Sequence, residues 1–259
     1  MRAREIASGV DATRAGFRGY ANKLQSNIAG MALNGILWNL LRQKIKPWMS
    51  VLDVGSGPGK YTLPLSKLAA RVVAVEPSEQ MADFLLRNII EQGIENVTIV
   101  RQRWENADVG HADAVLCSHV LYDVDDVEPF LLKLNAHAIG LCFLAHHTDQ
   151  YDPLFRELWQ RLYGEERRPM PVFADLLQVL EEMGIPAVVA GQMRPQMRLS
   201  FATVDEAVEY CTERMALSYS DPGNRSLIAA HLRDLLEMVD GRLYAPCSSD
   251  VGVVWWEKY

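Results

Sequence analysis

The stretch that most constrains this chain is Val51-Leu52-Asp53-Val54-Gly55-Ser56-Gly57-Pro58-Gly59-Lys60. Three apolar residues around Asp53 predict a short buried strand, and three glycines at alternate positions follow at once. Lys60 to Ala70 then reads as a helix. A strand that feeds a glycine-rich turn into a helix N-terminus is a binding device. Glycine lets the backbone approach a ligand with no Cβ in the way. The free N–H groups of the first helical turn add donors at the positive end of the dipole. Pro58 suits that turn, because its missing N–H would have had no partner there.

The glycine spacing selects among ligands. A dinucleotide fingerprint needs Gly-x-Gly-x-x-Gly, whereas this run is Gly55-x-Gly57-x-Gly59 with Asp53 inside the strand. The spacing therefore argues against an NAD-dependent dehydrogenase. The form Asp-x-Gly-x-Gly-x-Gly resembles motif I of the class I S-adenosylmethionine-dependent methyltransferases, in which this loop wraps the methionine and ribose portions of the cofactor. Arg103-Trp104-Glu105 and Ser118-His119-Val120-Leu121-Tyr122 are similar to segments of one group within that family, for which no acceptor is agreed.

Further along, Arg71 to Val75 is a near-continuous apolar run typical of a central parallel strand, and it ends on Glu76. Pro77 and Ser78 stop this strand and cap a helix from Glu79 to Glu91. Strands are expected at Val97–Val100, Asp113–Cys117 and Ile139–Ala145, with a helix from Asp125 to Ala138 capped by Asp125. Helices at Tyr151–Tyr163 and Val172–Met183 precede a sixth strand, Ala187–Ala190, and the last strand is Val251–Trp256. Residues 191–250 intervene, where Thr203–Leu217 and Ser226–Val239 read as helices broken by Asp221-Pro222-Gly223. An insertion of this size is expected to act as a lid or an acceptor-binding element.

The resemblance implies an α/β fold, a Rossmann-like seven-stranded methyltransferase sheet with helices on both faces. A helical N-terminal cap over residues 1–47 precedes a methyltransferase domain over 48–259, with a helical insertion at about 195–245. The implied cofactor is S-adenosyl-L-methionine. Its binding residues by position in the motif are Asp53, Gly55, Ser56, Gly57, Gly59 and Ser118, with Glu76 accepting both ribose hydroxyls and Pro77 and Met81 nearby. Trp104 offers a face to the adenine, Glu105 an acceptor for its amino group, and Tyr20 closes on the methionine end. The bland alternatives are a solvated strand-end acid for Glu76 and plain core for Met81.

His119 and Tyr122 follow the fourth strand, where an open α/β sheet keeps its reactive groups. Either can take a proton from an acceptor, and they are the candidate catalytic residues. The chain lacks the Asn/Asp-Pro-Pro-Tyr tetrapeptide of amino-methylating nucleic-acid enzymes at this point. His146-His147-Thr148-Asp149 invites a metal, but no third ligand has a suggestive spacing, so none is expected. Arg161, Arg167, Arg168, Arg194 and Arg198 gather near the insertion, as a basic surface or as a contact for an anionic acceptor.

Composition narrows the partners. With 26 basic and 33 acidic residues the net charge is −7, which disfavours a surface built wholly for nucleic acid. Met1-Arg2-Ala3-Arg4-Glu5 lacks the apolar core of a signal peptide, and no apolar run reaches membrane-spanning length. Cys117, Cys142, Cys211 and Cys247 are scattered with no Cys-x-x-Cys pair, which suits a reducing compartment. The expectation is a cytoplasmic methyltransferase acting on a small molecule, with a second copy of itself as an allowed partner and neither nucleic acid nor membrane expected. The alternatives are a macromolecule methyltransferase, acting on protein or RNA, and a non-catalytic cofactor-binding module.

Overall fold

The computed structural model describes residues 35–149, 153–166, 169–194, 199–215, 222–246 and 250–258. Tyr20 and residues 1–34 of the expected cap lie outside the described residues. Within them the leading helix is α1, Ile36–Lys44.

The seven-stranded sheet is present. It comprises β1 (Ser50–Val54), β2 (Arg71–Val75), β3 (Val97–Val100), β4 (Ala112–Ser118), β5 (Ala138–His147), β6 (Val188–Met193) and β10 (Val251–Glu257). Their order is β3-β2-β1-β4-β5-β10-β6. Strand β1 pairs in parallel with β2 and β4, and the parallel pairing continues from β2 to β3 and from β4 to β5. β10 runs antiparallel to both of its neighbours. The order reverses between β1 and β4, and that switch point opens a crevice at the carboxyl ends of these strands.

The apolar runs are continuous because both faces of the sheet are covered. Successive side chains alternate between faces. Leu52, Val54, Val115 and Cys117 join the core under α4 (Val127–His137) and α6 (Phe173–Glu182). Val51, Val72, Ala114 and Leu116 join the core under α1, through Leu37 and Leu41. Helix α3 (Glu79–Glu91) adds Leu85 and Ile89 against Ala74.

Several local expectations are corrected. The helix expected over Lys60–Ala70 is regular only as α2, Thr62–Leu65, before looser turns take over. Helix α4 takes Asp126 rather than Asp125 as its N-cap, with no side-chain cap bond. Strand β5 continues through His146 and His147, so these residues belong to the sheet and not to a loop.

The described residues form two compact units. One holds the sheet, from residues 35–149, 170–194 and 250–258. The other is built from 153–166, 199–215 and 222–246, with α5 (Pro153–Tyr163), α7 (Val204–Arg214), α8 (Pro222–Leu235) and a sheet of β7 (Ser200–Phe201), β8 (Glu237–Val239) and β9 (Arg242–Tyr244). The insertion therefore begins earlier than residue 195. Leu154, Phe155 and Leu158 of α5 pack with Phe201, Tyr210 and Ile228 and not on the main sheet. Nor is it purely helical: α8 stops at Leu235, and β8 and β9 form a hairpin across Asp240 (φ 47°) and Gly241 (φ 76°). Two successive positive φ values are what a two-residue hairpin turn of the Asp-Gly type requires. In the sheet unit the chain leaves and returns side by side, with Thr148 N–H donating to Asp250 O at 2.8 Å.

Candidate cofactor and transfer site

The glycine loop is tied to the end of β2 as it leaves β1: Gly55 and Ser56 N–H both donate to Val75 O, at 2.8 and 3.2 Å. Gly55, Gly57 and Gly59 take φ of 71°, 56° and 101°, a region that L side chains avoid. A Cβ on Gly55 would collide with Val120 and one on Gly59 with Leu85, so these two glycines serve close packing. Gly57 differs, because a Cβ there would meet nothing within 4 Å. Its backbone faces open space. Beside it, the buried Ser56 Oγ has no hydrogen-bond partner among the described residues.

Glu76 lies directly across from this loop, and only 6% of it is exposed. Its Oε2 accepts from Gly57 N–H and its Oε1 from Ser78 N–H, both at 2.8 Å. Burial raises the Glu76 pKa, while these two donors oppose the rise. Each carboxylate oxygen is thus fixed in direction and retains further acceptor capacity. The solvated-acid alternative does not describe this residue.

Asp53 is also buried, and its Oδ2 accepts from Thr62 Oγ1 at 2.6 Å. Burial pushes its pKa up to about 7, with the Thr62 bond opposing and the Glu76 charge adding to the rise. Its hydrogen bond runs inward from β1 to α2, which fixes the two ends of the glycine loop to each other. Thr62 was not anticipated from the sequence. Pro77 is exposed, and Ser78 Oγ caps α3 by accepting from Met81 N–H at 3.4 Å. Met81 is buried on the inner side of that helix.

Trp104 is corrected. It is 3% exposed and belongs to the core shared with Phe130 and Leu131. Its indole N–H donates to Phe130 O at 3.2 Å, and Lys133 Nζ stands 4.7 Å from its ring centroid. The face expected to meet a ligand is spent on packing. Lys133 also donates to the carbonyls of Trp104, Glu105 and Ala107, which pins this loop to α4. The Glu105 side chain is exposed, 3.5 Å from Arg103.

The carboxyl ends of β4 and β5 carry a cluster of rings. His119 sits at φ 61°, with its N–H bonded to Ala145 O at 3.0 Å. Its Nδ1 is 2.9 Å from Tyr122 Oη, which also accepts from His147 N–H at 3.2 Å. The His119 and His147 rings stand 4.7 Å apart, and Tyr122 and His146 4.3 Å apart. Burial lowers the His119 pKa well below its ordinary value, and the charges of His147, Lys60 and His146 add to this. Burial lowers His146 as well. Ser118 ends β4 half-buried, beside the Tyr61 phenol that burial pushes up to about 12. The sequence places His119 and Tyr122 at this point, but the strand expected over Ile139–Ala145 stops short of His146 and His147.

Among the described residues, no group of three or more His, Cys, Asp or Glu side chains is arranged to hold a metal ion. Of the arginines expected near the insertion, Arg194 bonds Asp250 at 3.2 Å and Arg161 is exposed in the other unit, while Arg167, Arg168 and Arg198 lie outside the described residues. No helix among the described residues is long and apolar enough to cross a membrane.

A seven-stranded sheet in this order, with a glycine loop answered by a strand-end carboxylate, defines a class I methyltransferase fold. Residues 52–137 match the family model described as a methyltransferase domain. An uncharacterised protein of Haemophilus influenzae is 32% identical over 143 residues, 53% of this chain and 51% of that one. A ribosomal RNA small subunit methyltransferase A of Desulforapulum autotrophicum is 31% identical over 123 residues, 44% of this chain and 42% of that one. The chain thus spans about half the length or less of these curated relatives. Among solved structures, the YcgJ protein of Bacillus subtilis shares the fold with a TM-score of 0.60 at 14% identity, over 86% of this chain and 97% of that one. Residues 52–137 of the chain thus carry a match to a methyltransferase domain, within a sheet of the class I methyltransferase fold.

Proposed function

We propose that this protein transfers a methyl group from S-adenosylmethionine to a small-molecule acceptor at the carboxyl ends of β1, β2 and β4. The observation that carries the reading is the Glu76 carboxylate, aimed by Gly57 and Ser78 N–H beneath the open backbone of the glycine loop. Two oxygens in fixed directions match two adjacent ribose hydroxyls. The unpartnered Ser56 Oγ supplies a further polar contact on the same loop.

When bound, the cofactor supplies a methyl carbon already activated by the neighbouring sulfonium. The protein's remaining task is alignment, because in-line displacement needs donor and acceptor close and collinear. His119 and Tyr122 stand at the end of β4 to orient the acceptor and take its proton. The depressed pKa of His119 keeps its ring in the proton-accepting form at neutral pH. Glu76 is the ribose ligand, and Asp53 acts one step back by holding Thr62 and the loop.

Calorimetric titration with S-adenosylmethionine and with its demethylated product tests this reading. Micromolar binding of either supports it, and absence of both removes it. A second reading, methylation of ribosomal RNA, is favoured by the 31% identity to an enzyme of that name. The net charge of −7 and the missing Asn/Asp-Pro-Pro-Tyr tetrapeptide weigh against it. Incubation with labelled cofactor and either deproteinised ribosomal RNA or a small-metabolite extract separates the two. The reduced, buried Cys117, Cys142 and Cys211 fit a cytoplasmic setting.

A further inference from the structure

Lys60, the residue immediately after Gly59, is partly buried, and its Nζ stands 5.1 Å from the centroid of the neighbouring Tyr61 ring. Its ammonium makes no hydrogen bond or ion pair among the described residues. The other partly buried lysines of the sheet unit all end on acceptors. Lys44 reaches Glu257 at 2.7 Å, Lys133 reaches three carbonyls, and Lys258 reaches the carbonyls of Asn135 and Ala138. A desolvated ammonium without an acceptor is costly. Burial accordingly lowers the Lys60 pKa, and its charge reaches His119. This cation lies on the glycine loop, on the side of the transfer site.

We infer that Lys60 is the anchor for the carboxylate at the amino-acid end of the cofactor. The inference rests on the methyltransferase reading and deepens it. Glu76 grips the loop at Gly57, which assigns that point to the ribose, and Lys60 lies three residues further along the same loop. Charge decides between the groups Lys60 can meet there. The sulfonium and the ammonium of the cofactor repel a lysine, whereas the carboxylate gives it the charge-assisted partner it lacks among the described residues. An anionic acceptor is the competing source of negative charge, and the choice of ligands below separates the two.

The test is calorimetric titration of the full chain and of its Lys60→Met and Lys60→Arg variants. Two ligands are compared: S-adenosylhomocysteine and S-adenosyl-3-thiopropylamine, the same molecule without the carboxylate. The unaltered protein is expected to prefer S-adenosylhomocysteine by about tenfold or more. Lys60→Met should lose most of that preference by weakening S-adenosylhomocysteine alone, and Lys60→Arg should retain most of it. A preference left intact in Lys60→Met overturns the assignment and turns Lys60 toward the acceptor. Equal weakening of both ligands also overturns it, since that marks damage to the loop. If the unaltered protein binds both ligands equally, the anchor fails while the methyltransferase reading stands. If it binds neither, the reading itself fails and the anchor with it.

Discussion

Gly57 N–H donates to Glu76 Oε2 at 2.8 Å, so the centre of the glycine loop and the end of β2 are held by one bond. That bond costs the carboxylate only part of its acceptor capacity. It explains why an acid at this place can be buried, and it makes the residue's contribution measurable.

Glu76→Ala removes both the proposed ribose contacts and the acceptor of two backbone N–H groups. Affinity for S-adenosylmethionine should fall by at least about tenfold, roughly 1.4 kcal/mol. Glu76→Gln keeps one acceptor oxygen and should fall by less. Calorimetry on variants whose thermal unfolding remains cooperative is the check. Unchanged affinity in Glu76→Ala would remove Glu76 from the cofactor site.

Asp53 gives a prediction with a sign. Its pKa is raised in the folded state to about 7, so between about pH 4 and 7 the folded chain holds a proton that the unfolded chain has released. Its contribution to stability is therefore full at the acid end of this window and lost as pH rises through it. His119 acts in the opposite sense. Its folded pKa lies well below the ordinary value of 6.5, so its neutral burial is lost as a source of stability when the pH falls below that value. Asp53→Asn removes the first slope and leaves the second. From pH 5 to pH 8 the Tm difference between variant and unaltered protein should move in the variant's favour by about 4 °C or more. A difference that stays constant across this range would show that Asp53 ionises normally.

What the sequence made legible was what period and spacing encode. Continuous apolar runs gave the strands of the parallel sheet because both faces are covered, and the strand-end position of Glu76 was readable from the run before it. Trp104 was misread because its neighbours in the sequence are polar, while its actual neighbours, Phe130 and Lys133, come from α4. The hairpin at Asp240-Gly241 did carry a local signal. The helix expected over Ser226–Val239 hides it by taking in its first strand, β8. Thr62 and Lys60 could not be picked out, since neither a buried bond to Asp53 nor an ammonium lacking an acceptor is visible before the chain folds.

His119 occupies φ 61°, held there by its own N–H to Ala145 O and by Tyr122 Oη 2.9 Å from Nδ1. An alanine must bear the same left-handed conformation without the ring contacts, whereas glycine adopts it freely. His119→Gly should therefore be more stable than His119→Ala by about 1 kcal/mol in denaturant unfolding. Both variants should bind S-adenosylmethionine within about threefold of the unaltered protein, well under 1 kcal/mol. A large loss of affinity in the glycine variant would move His119 from the acceptor side to the cofactor side.

Gly252 sets a packing limit at the point where β10 lies beneath α6. A Cβ on this residue would run into the Phe173 ring, which is itself buried at the start of that helix. The φ of Gly252 is not in the left-handed region, so the demand for glycine here is one of space and not of backbone conformation. Gly252→Ala should cost about 1–3 kcal/mol through overpacking. The pair Gly252→Ala with Phe173→Leu should recover part of this loss, because the smaller side chain gives up ring atoms where the methyl enters. Denaturant unfolding of the two single variants and the double variant measures the coupling. Strict additivity would mean that the strain is relieved elsewhere and that the Gly252–Phe173 contact does not set the spacing between β10 and α6.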